Sequence, residues 1–236
     1  MTISESASEA ASKPKYDASH IVHLEGADAI RQNVGMYVGN SESHGFHQLA
    51  SEVIDNGIDE AMAGHATKIV AILHADGSVS VEDNGRGIPT EIKPEHGISA
   101  LEVVLTKIHA GGKFEKKAYA MSGGLHGVGL KAACALSEWL EATVYRDGKE
   151  HHQKYQEGKP RKPVEVVGTT SQRGTRIRFK PSPRIFRHVP GFDREWFTKR
   201  LRDLSFLNPG VELFFEDQRK PEFKERYYQT GGLKDY

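Results

Sequence analysis

The stretch SEVIDNGIDEAMAGH, Ser51 to His65, decides how this chain reads. Ala50, Val53, Ile54, Ala61 and Met62 gather mainly on one side of a helical wheel, which predicts a helix from His47 to Ala63. Glu52, Asn56 and Asp59 stand at i, i+4 and i+7, so they share a face opposite the apolar stripe. Alone, three polar residues on a helix read as a solvated face. A carboxylate there can also orient and deprotonate a water, and an Asn oxygen suits Mg2+ beside phosphates. That second reading needs other features aimed at the same place.

Downstream of the helix the pattern turns to hairpins. Lys68 to His74 reads as a strand, the Asp76-Gly77 turn follows, and Ser78 to Glu82 alternates. DNGRGIP, Asp83 to Pro89, is then a loop. A carboxylate at a strand end can accept an exocyclic amine of adenine while glycines let the base approach the backbone. Arg86 is placed to pair with Glu60. Ser99 to His109 has helical spacing at Leu101, Val104, Leu105 and Ile108, and Ala110 to Gly124 is a Lys-bearing, glycine-bounded loop. A helix from His126 to Ser137 opens on Gly124, Gly127 and Gly129, a G-x-x-G-x-G pattern whose backbone N–H groups suit an anion. It follows a loop and not a strand, against a Rossmann fingerprint, and Gly112-Lys113 is followed by Phe114, so there is no Walker A.

The remainder is mostly β. Trp139 to Arg146 and Lys149 to Gln156 form a hairpin about Asp147-Gly148; Thr175 to Phe179 and Val211 to Glu216 are further strands. Between the last two, Asp193 to Leu207 is a helix striped by Phe197, Leu201, Leu204 and Leu207. Early helices with hairpins throughout predict a two-layer α+β sandwich, not alternating βαβ units.

Composition bounds the function. The 236 residues carry 24 glycines, about one in ten, and nine of them lie between Asp83 and Gly129. Glycine concentrated in this way suits backbone working against a ligand. Lys+Arg and Asp+Glu are both 32, which excludes a globally basic nucleic-acid coat. The single cysteine, Cys134, excludes an intrachain disulfide and a Cys-rich zinc module; on an apolar helix it reads as a core thiol. Mean hydropathy is −0.55 and no run is long enough to span a bilayer. The opening MTISESASEAASKP has no signal-peptide pattern, so the expected setting is cytoplasmic, with no membrane partner. Residues 1–19 read as a flexible arm, His151-His152 as exposed, and Arg161-Lys162 as a solvated loop.

Taken together, Glu-x3-Asn-x2-Asp, Asp-x-Gly-x-Gly, Gly-x2-Gly-x-Gly and Gly174-Thr175 resemble the ATP-binding fold shared by gyrase, Hsp90, MutL and sensor histidine kinases (the GHKL fold). VGMYVG, EVIDNGIDEAMAGH, VEDNGRGIP, HAGGKF, SGGLHGVG and LSFLNPGV resemble, within it, the DNA gyrase B subunits of the type IIA topoisomerases, from about Tyr16 to the last residue. The resemblance implies a mixed, mostly antiparallel sheet with helices on one face, over residues 20–236. It implies ATP and Mg2+ as cofactors and ATP hydrolysis as the activity. Glu52 would be the general base, Asn56 would bind Mg2+ and phosphate, and Asp59 would line the nucleotide site. Asp83 would read the adenine amine with Thr175 beside it, and Gly87, Ile88 and Pro89 would line the adenine pocket. Gly111 to Gly129 would be a lid, with Lys113, Gly124, Leu125, His126, Gly127, Val128 and Gly129 around the phosphates. Aminocoumarin inhibitors would touch Asn56, Asp83, Arg86, Pro89, Arg146 and Thr175.

As partners the resemblance implies a second copy through an N-terminal arm that includes Tyr16 and Ile21, the gyrase A subunit, and DNA through the full complex. Strand passage and supercoiling need a transducer, a cleavage domain and the A subunit, so the chain reads as the ATP-binding module of a larger subunit. The alternatives are a topoisomerase IV B subunit or another member of the fold. Three departures stand out. Val34 replaces a usual Pro. Gly57 replaces a usual Ala, which is expected to leave space beside Asn56. Gln48 stands where a His is usual four residues before the base, with His47 one earlier.

Overall fold

The computed structural model describes residues 24–108, 127–219 and 221–235. The arm of residues 1–19 with Tyr16, Ile21 just after it, and most of the expected lid, with Lys113, Gly124, Leu125 and His126, lie outside them.

Three helices come first: α1 (Gly26–Gln32), α2 (Val34–Val38) and the 20-residue α3 (Ser43–Met62). Strands β1 (Lys68–Leu73) and β2 (Val79–Asp83) follow, then a two-stranded ribbon of β3 (Ile92–Lys93) and β4 (Ile98–Ser99). Helix α4 (Ala100–Thr106) is capped by Ser99, whose hydroxyl accepts the Glu102 amide, and α5 (Gly129–Ala135) precedes the long hairpin. That hairpin is β5 (Ser137–Arg146) with β6 (Lys149–Gln156); Asp147 and Gly148 at its tip both have positive φ, 53° and 75°, as the tight primed turn requires. Then come β7 (Lys159–Pro160), β8 (Glu165–Thr169), β9 (Gly174–Pro181), α6 (Arg194–Leu207), β10 (Glu212–Asp217) and β11 (Phe223–Tyr227), with a closing 3-10 turn at Gly232–Asp235.

Nine strands form one sheet in the order β11-β10-β1-β2-β9-β5-β6, with β7 and β8 both on the outer edge of β6. Only β1 and β10 run parallel; the other pairs are antiparallel. This is the expected mixed, mostly antiparallel sheet of an α+β sandwich. One face carries the core: Ile69, Ala71 and Leu73 on β1, Val79 and Val81 on β2, Ile177 and Phe179 on β9, under α3, α5 and α6. Phe197 of α6 stacks flat on Phe215 of β10, with ring centroids 5.1 Å apart. The other face is polar and laced with cross-strand charge pairs such as Glu141–Lys154, Glu216–Lys224 and Glu212–Arg226.

Several sequence expectations shift. α3 starts four residues earlier than read, and its C-terminal polar residues are not solvated: Asp59 is 1% exposed, and Glu60, held by the Arg86 loop, 8%. Conversely Met62 is 44% exposed, and Ile58 takes the place expected for it in the core. In α4 the buried residues are Leu101, Val103 and Leu105, and Leu207 at the end of α6 is exposed. Residues His151 and His152 are half-buried, since β8 pairs alongside them. Cys134 is buried as a core thiol, and burial pushes its pKa far up. Among the described residues no helix is long and apolar enough to cross a membrane.

Candidate active site

Helix α3 crosses the sheet where β2 ends, and the two elements approach closely at Gly57. A methyl group on Gly57 would lie 3.3 Å from the Ile69 side chain and 3.5 Å from Cβ of Asp83. The glycine therefore faces the sheet, and the space it leaves is filled by Ile69 and Asp83 rather than opened beside Asn56. Asn56 and Glu52 are half-buried on the adjoining face, and Asp59 is buried one turn further on.

Asp83 is the last residue of β2 and is 6% exposed. Its strand register sets it opposite Thr175 on β9. Burial pushes its carboxyl up to about 7, and the charges of Glu60 and Glu82 add to the rise; the Gly85 and Thr175 amides pull the other way. Oδ1 accepts the Gly85 amide at 2.8 Å. The strand pairing is this tight because residue 174 is glycine: at φ 131° it sits where a Cβ would lie 1.8 Å from the Asp83 carbonyl oxygen.

The loop after Asp83 is pinned from Asn84 to Ile88. Asn84 Oδ1 accepts the amides of Thr67 and Lys68 at 2.8 and 3.0 Å. The expected Arg86–Glu60 pair forms in two-pronged geometry, Nε to Oε2 at 3.1 Å and Nη2 to Oε1 at 2.8 Å, and the Arg86 amide also donates to Oε2. Arg146 at the end of β5 donates to the Gly87 carbonyl at 3.0 Å, and Thr175 Oγ1 accepts the Ile88 amide at 3.1 Å. Pro89 is exposed at the rim. Arg86, Arg146, Asp147, Gly148, Gln172 and Arg173 line a cavity of about 390 Å³.

One turn before Asn56, at the middle of α3, Glu52 meets the start of α5. A methyl group on Gly129 would lie 1.9 Å from Glu52 Oε2, so only glycine permits this approach. Oε1 accepts a hydrogen bond from Gln48 Nε2 at 2.8 Å. His47 is turned away: Nδ1 bonds the Ser43 carbonyl at 2.7 Å and Nε2 the Asp193 amide at 2.9 Å, within an aromatic cluster with Phe46, Phe192 and Trp196.

The structure thus brings together Glu52, Asn56, Asp59, Asp83, Arg86, Gly87, Ile88, Arg146, Thr175 and the Gly127–Gly129 segment around α3. Two contributors escaped the sequence reading. Asn84 as a loop anchor had a signal only in its Asp-Asn-Gly setting. The Gln48 contact with Glu52 was visible as an i, i+4 pair but its geometry was not.

Known proteins resemble this chain in sequence and fold. The family described as histidine kinase-, DNA gyrase B- and HSP90-like ATPase matches residues 41–185. The chain is 52% identical to the DNA gyrase B subunit of Thermotoga maritima over 94% of its length, and 49% identical to that of Treponema pallidum over 94%. It spans about a third of those relatives, 35% of each. A crystal structure of the 43K ATPase domain of Thermus thermophilus gyrase B, solved with an aminocoumarin, superimposes with a TM-score of 0.80 at 38% identity, covering 89% of this chain and 53% of that one. By the family match over more than half of its length, and by its fold, the chain belongs to the histidine kinase-, DNA gyrase B- and HSP90-like ATPase family.

Proposed function

We propose that this chain is the ATP-binding and ATP-hydrolysing domain of a DNA gyrase B subunit, the part of a type IIA topoisomerase whose ATP-driven dimerisation powers strand passage and negative supercoiling. The observation that carries the reading is that one helix brings a half-buried carboxylate, Glu52, against the α5 start and lays its Gly57 on the buried carboxylate Asp83. The Asp83 end of the cleft suits a base, the Glu52 end a phosphate chain.

Asp83 accepts the adenine amine with the carboxylate oxygen that Gly85 does not fill, and Thr175, already holding Ile88, stands beside it. Gly87, Ile88 and Pro89 form the wall against the base. The backbone of Gly127, Val128 and Gly129 receives the phosphates, together with Lys113, Gly124, Leu125 and His126 from outside the described residues. Glu52 takes a proton from water as its oxygen bonds to the γ-phosphorus, and the bond to the β-phosphate oxygen breaks with its electron pair leaving on ADP.

Among the described residues no three His, Cys, Asp or Glu side chains cluster to cage a metal. A single amide oxygen, from Asn56, fits Mg2+, which takes most of its ligands from phosphates and water. When bound there it would neutralise phosphate charge. For partners we propose a second copy through residues 1–19, the gyrase A subunit, and DNA through the whole complex. Aminocoumarins, one of which is bound in the Thermus relative, would contact Asn56, Asp83, Arg86, Pro89, Arg146 and Thr175. A cytoplasmic location goes with this reading.

The test is Glu52→Gln in the full-length subunit. Nucleotide affinity should hold while hydrolysis drops at least about 100-fold, as for loss of a general base. Undiminished turnover would remove Glu52 from the reaction.

A further inference from the structure

The tripeptide Asp-Asn-Gly occurs twice in the chain, as Asp55-Asn56-Gly57 and as Asp83-Asn84-Gly85. Asparagine before glycine is the pair most prone to deamidate, because no side chain screens the glycine nitrogen from the neighbouring amide carbon. The structure puts the two copies in opposite settings. Asn56 and Gly57 lie in the interior of α3. Helical ψ turns the Gly57 nitrogen away from the Asn56 side chain, and the helical ladder occupies its proton. Asn84 and Gly85 lie just past the end of β2, outside any helix or strand. Bonds to side chains hold the reacting groups there. Asn84 Oδ1 accepts the Thr67 and Lys68 amides, its Nδ2 donates to Thr67 Oγ1 at 2.9 Å, and the Gly85 amide donates to Asp83 Oδ1. Thr67 is exposed, and hydrogen bonds at the surface open at low cost compared with a helix interior.

We infer that Asn84 is a deamidation site held in check by these bonds, that Asn56 is not one, and that isoaspartate at position 84 disables the base end of the cleft. When the loop opens, the Gly85 nitrogen gives its proton to hydroxide and attacks the Asn84 side-chain carbon. A C–N bond closes a succinimide ring, and the side-chain nitrogen leaves as ammonia with a proton from water, which restores the hydroxide. A further water opens the ring to aspartate or isoaspartate. Aspartate keeps an oxygen that can accept the Thr67 and Lys68 amides. Isoaspartate runs the main chain through the former side chain, which adds one carbon between Asp83 and Gly85 and removes that acceptor. The segment that Glu60, Arg146 and Thr175 hold in register with Asp83 is then displaced from it. A nucleotide seated on Asp83 and on the Gly87 to Pro89 wall favours the closed loop and so protects Asn84. This last step rests on the reading of the cleft as an ATP site.

The experiment incubates the full-length subunit at mildly alkaline pH, with and without a non-hydrolysable ATP analogue. Peptide mapping by mass spectrometry reads the exchange of NH2 for OH at each asparagine, and enzymatic methylation reads isoaspartate. Expected is conversion at Asn84 at least about tenfold faster than at Asn56, slowed about fivefold or more by the analogue, since reaction from an open state follows its population. In urea, where neither guard survives, the two sites should convert alike. Thr67→Val, which removes the acceptor for Asn84 Nδ2 at an exposed position, should speed conversion. Analogue binding, titrated by calorimetry on aged protein, should fall in step with the isoaspartate fraction at position 84 and not with the aspartate fraction. Asn84 as inert as Asn56 in the folded subunit, or Asn56 converting as fast, overturns the site. An unchanged rate in Thr67→Val overturns the guarding role of these bonds, and isoaspartate-bearing protein that binds like the parent overturns the consequence. An analogue that binds yet leaves Asn84 unprotected overturns the link to nucleotide. One that does not bind overturns that link together with the ATP reading, while the difference between Asn84 and Asn56 still decides the site.

Discussion

Replacing Asp83 with Asn separates the recognition role of this carboxylate from its cost to the fold. The side chain is 6% exposed and its Oδ1 is occupied by the Gly85 amide at 2.8 Å. An Asn would keep that bond with its own oxygen, which turns its NH2 toward the adenine amine, donor against donor. An unmatched buried polar pair of this kind costs about 1–3 kcal/mol, so calorimetry should show ATP-analogue affinity falling at least about tenfold, 1.4 kcal/mol. The parent protein should also show a pH dependence that the variant lacks. With the Asp83 carboxyl pushed up to about 7, only its ionised fraction accepts the amine. Affinity should then fall about tenfold between pH 8 and pH 6. For stability the sign is opposite. Between 3.8 and about 7 the folded chain holds a proton that the unfolded chain has released, so stability of the empty domain declines as pH rises through that window. At pH 8 Asp83→Asn should therefore melt higher than the parent while binding nucleotide more weakly. Equal affinity, or a parent whose affinity ignores pH, would refute the reasoning.

Other outcomes follow from single contacts. Burial works against ionised Asp217, yet the bonds from Arg219 and Arg194 hold its carboxyl down to about 2 from 3.8. Asp217→Asn should cost about 2–3 kcal/mol at pH 7, at about 1.4 kcal/mol per unit, with the gap in urea unfolding closing as pH falls through that window. Gly129→Ala should leave Tm near the parent's, since Ala favours helix, but its methyl would displace Glu52 and cut turnover more than tenfold, on the order seen for misplaced groups. Removing the guanidinium in Arg86→Ala should raise the pH midpoint of nucleotide binding, because the Glu60 charge then bears more fully on Asp83.

What the sequence could not show follows from where its signals come from. α3, the β5–β6 hairpin and α6 were legible because each carries its own period or turn. β8 and β11 were missed: EVVGT and FKERY lie at sheet edges and are mostly exposed, so no alternation marks them. α1 and α2, at seven and five residues, are too short for a period to emerge. In the site, residue types and spacing pointed to Glu52, Asn56 and Asp83, while the rise of the Asp83 pKa, the burial of Asp59 and the turning away of His47 depend on partners far along the chain. Even the Arg86–Glu60 pair, read correctly, gave no hint of its two-pronged geometry.

The pairing of β2 with β9 gives the site an order of assembly. Asp83, Glu52 and the loop leave the ribosome early, but Thr175, which holds Ile88 from 87 positions further on, is made late. So are Gly174 and Arg146, the other pieces that fix the loop. Until β9 and β10 arrive, the β1–β2 hairpin has two bare edges, the kind that pair with other chains. Nucleotide cannot help at that stage, because the pocket it would stabilise does not yet exist. The growing chain thus passes through a period in which this hairpin's edges are covered by neither its own later strands nor its ligand, and any truncation before Gly174 would leave the β2 edge bare.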